Sequence, residues 1–139
     1  MNILVDTSIW SLALRRKVAD LSAPEKLLVR EISELINEGR ARILAVVRQE
    51  LLSGIRTTEQ FEKLRITLRS FPDEPLDTAD YEAAARASNV CRSKGVSVSV
   101  VDALICAVGT TRDWSIFTTD PDFRNYATFL PIRLHTPRE

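Results

Sequence analysis

Four carboxylates stand where short apolar runs end. Asp6 follows Ile3-Leu4-Val5 and precedes Thr7-Ser8-Ile9-Trp10, and Glu50 comes after Ile43-Leu44-Ala45-Val46-Val47. Asp102 opens the run Val101-Asp102-Ala103-Leu104-Ile105, and Asp120 follows Trp114-Ser115-Ile116-Phe117. An acid at the junction of a buried element and its loop is costly unless something partners it. Four such acids at separate boundaries point to one shared partner, and a divalent cation is the simplest. Carboxylate oxygens suit Mg²⁺ or Mn²⁺, whose characteristic work is phosphoryl chemistry. Two carboxylates about 5 Å apart at an effective dielectric near 20 repel by roughly 3 kcal/mol. A set of four therefore calls for a cation or for raised pKa values.

Each acid also has a plain structural reading. Asp6 can cap the helix that follows, although Thr7 and Ser8 can do so in its place. Its position at the carboxyl end of a first strand is where ligands bind in open α/β sheets. Glu50 reads as a surface glutamate early in a helix, where negative charge is favoured; from position alone that reading leads. Asp102 fits a capping box three residues after Ser99, yet the run Val96-Ser97-Val98-Ser99-Val100-Val101 is apolar enough to bury the turn. Asp120 and Asp122 form an Asp-Pro-Asp turn beside Thr118 and Thr119, equally a cluster of hard oxygen donors.

These acids depend on the elements that hold them. Short apolar runs alternate with longer helical periods, which predicts an α/β fold with a mainly parallel sheet. Strands are expected at residues 2–5, 43–46, 75–76, 116–118 and 131–134. Helices are expected over 9–16, from the Ser22/Glu25 capping box to Gly39, and across Glu50 to Gly54. Others run from Thr57 or Thr58 to Phe71-Pro72, from Asp77 or Thr78 to Gly95, and from Ser99 to Gly109. Residues 121–123 read as a turn.

At 139 residues the chain has the length of a single domain, 1–139. With 19 basic and 19 acidic residues its formal charge is zero, which argues against a general nucleic-acid coating protein but not against a local site. No apolar stretch approaches the roughly 20 residues of a membrane span. The N-terminal residues lack signal-peptide organisation, so a cytoplasmic location is expected. Cys91 and Cys106 lack metal-ligand spacing and read as buried, reduced thiols. The single histidine, His135, has no catalytic partner in sight, and there is no Gly-rich phosphate loop or nucleophile elbow.

The segments Leu4-Val5-Asp6-Thr7-Ser8-Ile9-Trp10, Glu50-Leu51-Leu52-Ser53-Gly54, Asp102-Ala103-Leu104-Ile105 and Thr118-Thr119-Asp120-Pro121-Asp122-Phe123 resemble the four motif regions of PIN-domain ribonucleases. The match is best to the VapC toxins of type II toxin–antitoxin pairs, and it runs from residue 2 to about 134. This resemblance implies a PIN-like α/β/α sandwich around a central, mainly parallel sheet. It further implies Mg²⁺- or Mn²⁺-dependent endoribonuclease activity, inhibition by a VapB-type antitoxin, and a homodimer. By position, Asp6, Glu50, Asp102 and Asp120 match the acidic set that carries catalysis and metal. Ser8 and Thr118 match supporting hydroxyl positions, and Asp122 is auxiliary. Residues that select the RNA have no shared motif.

Metal-activated water requires no attack by the ribose 2′-OH, so 5′-phosphate and 3′-hydroxyl products are expected. Two rival classes remain at the level of sequence. One is a PIN-like module that binds RNA or a partner without cutting. The other is an aspartyl-phosphate phosphatase or receiver, whose phosphatase form wants a second acid two residues after Asp6, where this chain has Ser8.

Overall fold

The computed structural model describes residues 1–138. Its centre is a three-stranded parallel sheet of order β2-β1-β3. Strand β1 (Ile3–Val5) is buried at every residue, as expected for a middle strand covered on both faces. It pairs with β2 (Ala41–Arg42) in the register Ile3↔Ala41 and with β3 (Ser115–Phe117) in the register Leu4↔Ile116.

Helix α1 (Thr7–Arg15) leaves directly from β1, and the Trp10 indole N–H donates to the Val5 carbonyl at 3.2 Å, fixing its exit angle. Helix α2 (Ala23–Asn37) opens with the expected capping box: the Glu25 N–H donates to Ser22 Oγ and the Ser22 N–H to Glu25 Oε1. Helices α3 (Ala45–Leu52) and α4 (Thr58–Leu68) complete the group built on α1. Helix α5 (Thr78–Ser93) packs along α6 (Val100–Arg112), which rests on β3; α7 (Asp122–Phe129) contacts α5. The sheet between these groups makes the α/β/α sandwich. Its core holds Leu4, Ile9, Trp10, Ile32, Leu104 and Phe117. Among the described residues no helix is long and apolar enough to cross a membrane.

Several expected elements differ. Residues 43–46 are not a strand: Leu44 is the N-cap of α3, and the chain is helical from Ala45. The helical spacing puts Val47 and Leu51 together in the core, and burial outweighs the strand preference of paired valines. The ladder survives only as a bridge between Ile43 and Asp73, so residues 75–76 are not a strand either. Residues 131–134 contribute a single bridge, Ile116↔Leu134, beside Pro131, which has no N–H to offer. Residues 121–123 start α7 rather than a turn, with Pro121 at its N-cap and Phe123 and Tyr126 buried on one face. Helix α6 runs through Gly109 to Arg112; a Cβ at Gly109 would lie 3.1 Å from the Ile116 side chain and 3.2 Å from the Trp114 carbonyl oxygen. Close approach to β3, not helix termination, is the reason for that glycine.

Candidate active site

The carboxyl end of β1 delivers Asp6 into the fold with 5% of its surface exposed. Its backbone occupies the N-cap position of α1, but its side chain makes no capping bond. Instead Asp6 Oδ2 accepts hydrogen bonds from Ser8 Oγ at 2.8 Å and from Thr118 Oγ1 at 2.7 Å. The Thr119 N–H donates to Ser8 Oγ and the Asp120 N–H to Thr118 Oγ1, both at 3.0 Å. Two hydroxyls thus lock the end of β1 to the loop after β3. The capping explanation of Asp6 fails.

Glu50 lies in the last turn of α3, where the helix dipole disfavours negative charge. The expectation of an early helical position is therefore corrected, because the helix starts five residues before Glu50. Its Oε1 accepts from Thr7 Oγ1 at 2.6 Å, tying α3 to α1.

Asp102 shows half of the expected capping box. Its N–H donates to Ser99 Oγ at 3.1 Å. Its side chain turns the other way and accepts from the Tyr126 hydroxyl at 2.7 Å. Burial pushes the Asp102 carboxyl above its ordinary pKa; the Tyr126 bond opposes the shift, and the charges of Asp6, Asp120 and Glu50 add to it. Asp120, after β3, accepts the Asp122 N–H at 2.9 Å in the local geometry of an Asx turn.

All four acids, with Thr7 and Ser8, line one cavity of about 700 Å³, and no basic side chain lines it. Thr118 acts from behind, through Asp6. Asp122 does not line the cavity; it is exposed in the first turn of α7 and serves Asp120 through its backbone. Two contributors were absent from the sequence reading: Thr7, which holds Glu50, and Tyr126, which holds Asp102. The Phe123–Tyr126 spacing of one buried helical face was the signal for the second.

Among the described residues no three Asp, Glu, His or Cys side chains approach closely enough to enclose a metal ion by themselves. The donors nevertheless fit a hydrated hard cation. All are oxygens, the charge is uncompensated, and Mg²⁺ characteristically keeps several waters while using one or two carboxylates.

His135 is not part of this site. Its Nε2 lies 2.7 Å from Oε2 of the buried Glu31, and its ring meets Phe117 edge-on. Cys91 and Cys106 are free, buried thiols, both shifted upward in pKa by burial.

Solved structures with the same fold include FitAcB from Neisseria gonorrhoeae, at 20% identity and TM-score 0.74 over 97% of each chain. VapBC2 from Rickettsia felis, bound to a fragment of promoter DNA, aligns at 16% identity and TM-score 0.71, over 97% of this chain and 98% of that one. VapBC-5 of the VapBC toxin–antitoxin family from Mycobacterium tuberculosis gives 20% identity and TM-score 0.65, over 96% and 98%. No curated protein matches the sequence. The PIN domain family model matches residues 3–128, from β1 into the last turns of α7. With that match spanning all four acidic positions, the chain belongs to the PIN domain family.

Proposed function

We propose that the protein is a Mg²⁺- or Mn²⁺-dependent endoribonuclease and the toxin of a toxin–antitoxin pair. One observation carries the reading: carboxylates from four separate elements face one cavity that no basic side chain lines. Asp6 and Asp102 are the first candidates to hold the metal, with Glu50 and Asp120 completing its surroundings. When bound, the metal would acidify a coordinated water and neutralise charge on the scissile phosphate.

The chain's own residues do the rest. Ser8 and Thr118 orient Asp6, and Tyr126 orients Asp102. Thr7 fixes one oxygen of Glu50, and the Asp122 N–H fixes one oxygen of Asp120. Among the described residues the second oxygen of each has no hydrogen-bond partner and is available to take the proton of the attacking water. The same geometry disfavours a phosphatase, since the residue two after Asp6 is Ser8, which is spent on orienting it.

The antitoxin partner is supported by the VapBC assemblies that share the fold. A homodimer is part of the same reading.

The test is cleavage of total cellular RNA with Mg²⁺ or Mn²⁺, with EDTA, and with Asp6→Asn. Metal-dependent cuts leaving 5′-phosphate and 3′-hydroxyl ends are expected, and both EDTA and the substitution should abolish them. Products with 2′,3′-cyclic phosphate would sink the mechanism. RNA binding without cleavage would mean a non-catalytic module, and phosphatase activity alone an aspartyl-phosphate enzyme. The antitoxin is tested by co-purification with the co-expressed product of the neighbouring gene.

A further inference from the structure

A cavity of about 440 Å³ opens between the C-terminal end of α1 and the side of α4. Arg15, Arg16, Lys17 and Lys63 line it over Leu14 and Ile55, and among the described residues no carboxylate does. Arg16 has a distant ion partner, Glu25 at 3.9 Å. Among the described residues Arg15, Lys17 and Lys63 form no ion pair. In a chain of zero formal charge, four cations in one hollow are a marked local excess.

Helix α1 connects this hollow to the acidic cleft. Thr7 and Ser8 at its start line the cleft, and Arg15 at its end lines the basic cavity. Eight residues of helix separate Thr7 from Arg15, roughly 12 Å of axial rise. A few nucleotides of single strand span such a distance.

The cleft itself is a poor source of affinity for a polyanion, because its walls carry four carboxylates and no cation. Attraction for a nucleic acid must come from elsewhere on the surface. Cations at the end of α1 also complement the helix dipole, but that dipole amounts to only about half a charge. Lys63 lies in the middle of α4, where no dipole calls for it.

We propose that the cavity formed by Arg15, Arg16, Lys17 and Lys63 binds backbone phosphates of a single-stranded RNA whose scissile bond lies in the acidic cleft. The assignment rests on the nuclease reading for its substrate, not for its geometry. Binding here needs no metal and no particular base, so it supplies affinity and direction of the strand, not sequence choice.

Binding is measured with a fluorescently labelled, randomised RNA pool about a dozen nucleotides long, in EDTA, between about 50 and 200 mM salt. Arg15→Gln with Lys63→Gln should weaken binding about tenfold and reduce the salt slope by about 1.4, the share of two phosphate contacts on a single strand. Arg86→Gln with Arg92→Gln on α5 changes net charge equally and should leave both quantities unchanged. Thermal melting checks that each variant is folded.

Unchanged affinity and slope in the first variant would overturn the assignment. An equal loss in the α5 variant would do so too, by reducing the effect to net charge. So would intact RNA binding with lost capture of the co-expressed antitoxin, which would make the hollow a protein site. If the wild type cuts no RNA with Mg²⁺ or Mn²⁺ yet the slope change appears, the nuclease reading falls and the phosphate site stands.

Discussion

The Tyr126 hydroxyl donates to Asp102 Oδ2 across 2.7 Å, joining α7 to the first turn of α6. Tyr126 is 3% exposed, so the bond is made in a largely dry environment where it cannot be replaced freely by water. Tyr126→Phe removes the only hydrogen bond that, among the described residues, steadies the Asp102 carboxylate. We expect Mg²⁺ activation to shift to about tenfold higher metal concentration, matching the roughly 1.5 kcal/mol of a bond to a charged group. Saturating metal should recover most of the turnover. A metal titration of cleavage rate checks this, and an unchanged midpoint would remove Tyr126 from the site.

Asp102→Asn should abolish cleavage yet raise the melting temperature of metal-free protein at pH 7 by a few degrees. The sign follows from linkage. Burial and three neighbouring acids raise the folded pKa of Asp102, so its ionised form costs stability above that pKa. The cost is relieved as pH falls through the folded value towards the unfolded one. The melting advantage of the variant should therefore shrink in acid, and added Mg²⁺ should stabilise wild type more than the variant. A lower melting temperature at pH 7 would mean that Asp102 is chiefly structural.

Asp80 behaves in the opposite sense. The Arg112 guanidinium grips both of its oxygens, at 2.9 and 3.2 Å, and holds its pKa below the ordinary value. A lowered carboxylate pKa contributes stability above the unfolded pKa, lost as pH falls through the folded value. Asp80→Asn should cost about 2 kcal/mol at neutral pH, because Arg112 is left with one fewer charged partner. Denaturant unfolding at pH 7 should show this loss, and the gap between variant and wild type should close as pH falls below the ordinary carboxylate range.

The C-terminal residues are clamped to α2 by Glu31, which is 2% exposed. It accepts from Arg138 Nε at 2.7 Å and sits 2.7 Å from His135 Nε2. Burial raises the Glu31 pKa, but these partners outweigh it and the net shift is downward. Arg138→Ala should lower the melting temperature and accelerate amide exchange over residues 133–138, leaving catalysis intact. Exchange mass spectrometry reads this directly; unchanged protection would mean that the Ile116 bridge alone holds the tail.

Local chemistry in the sequence was enough to place Asp6, Asp102 and Asp120 and most helix starts, but not Glu50. The Ser22/Glu25 capping box, the cap at Asp77 (one of the two residues expected there) and the Ser99 half of its capping box are decided by side chains within three residues of one another, and all three form. The strand before Asp6 and the strand before Asp120 were legible for the same reason, as short apolar runs ending in acids. The elements that shifted are those decided at a distance. Val46 and Val47 prefer strands in isolation, but docking Val47 and Leu51 into the core made that segment a helix. Phe123 and Tyr126 turned an Asp-Pro-Asp turn into the start of α7 in the same way.

What each acid does could not be read from neighbours alone. In sequence Asp6 reads as free of capping duty because Thr7 and Ser8 can cap, yet only the approach of Thr118, 112 residues away, shows what engages its side chain. Asp102 looks like half of a capping box, and only α7 brings the Tyr126 hydroxyl to it. The amino-acid sequence determined which carboxylates exist and that each stands at an element's boundary. The tertiary structure decided that they share one cavity with no basic side chain in its walls, because burial and charge repulsion depend on distances that only the packed sheet and helices set.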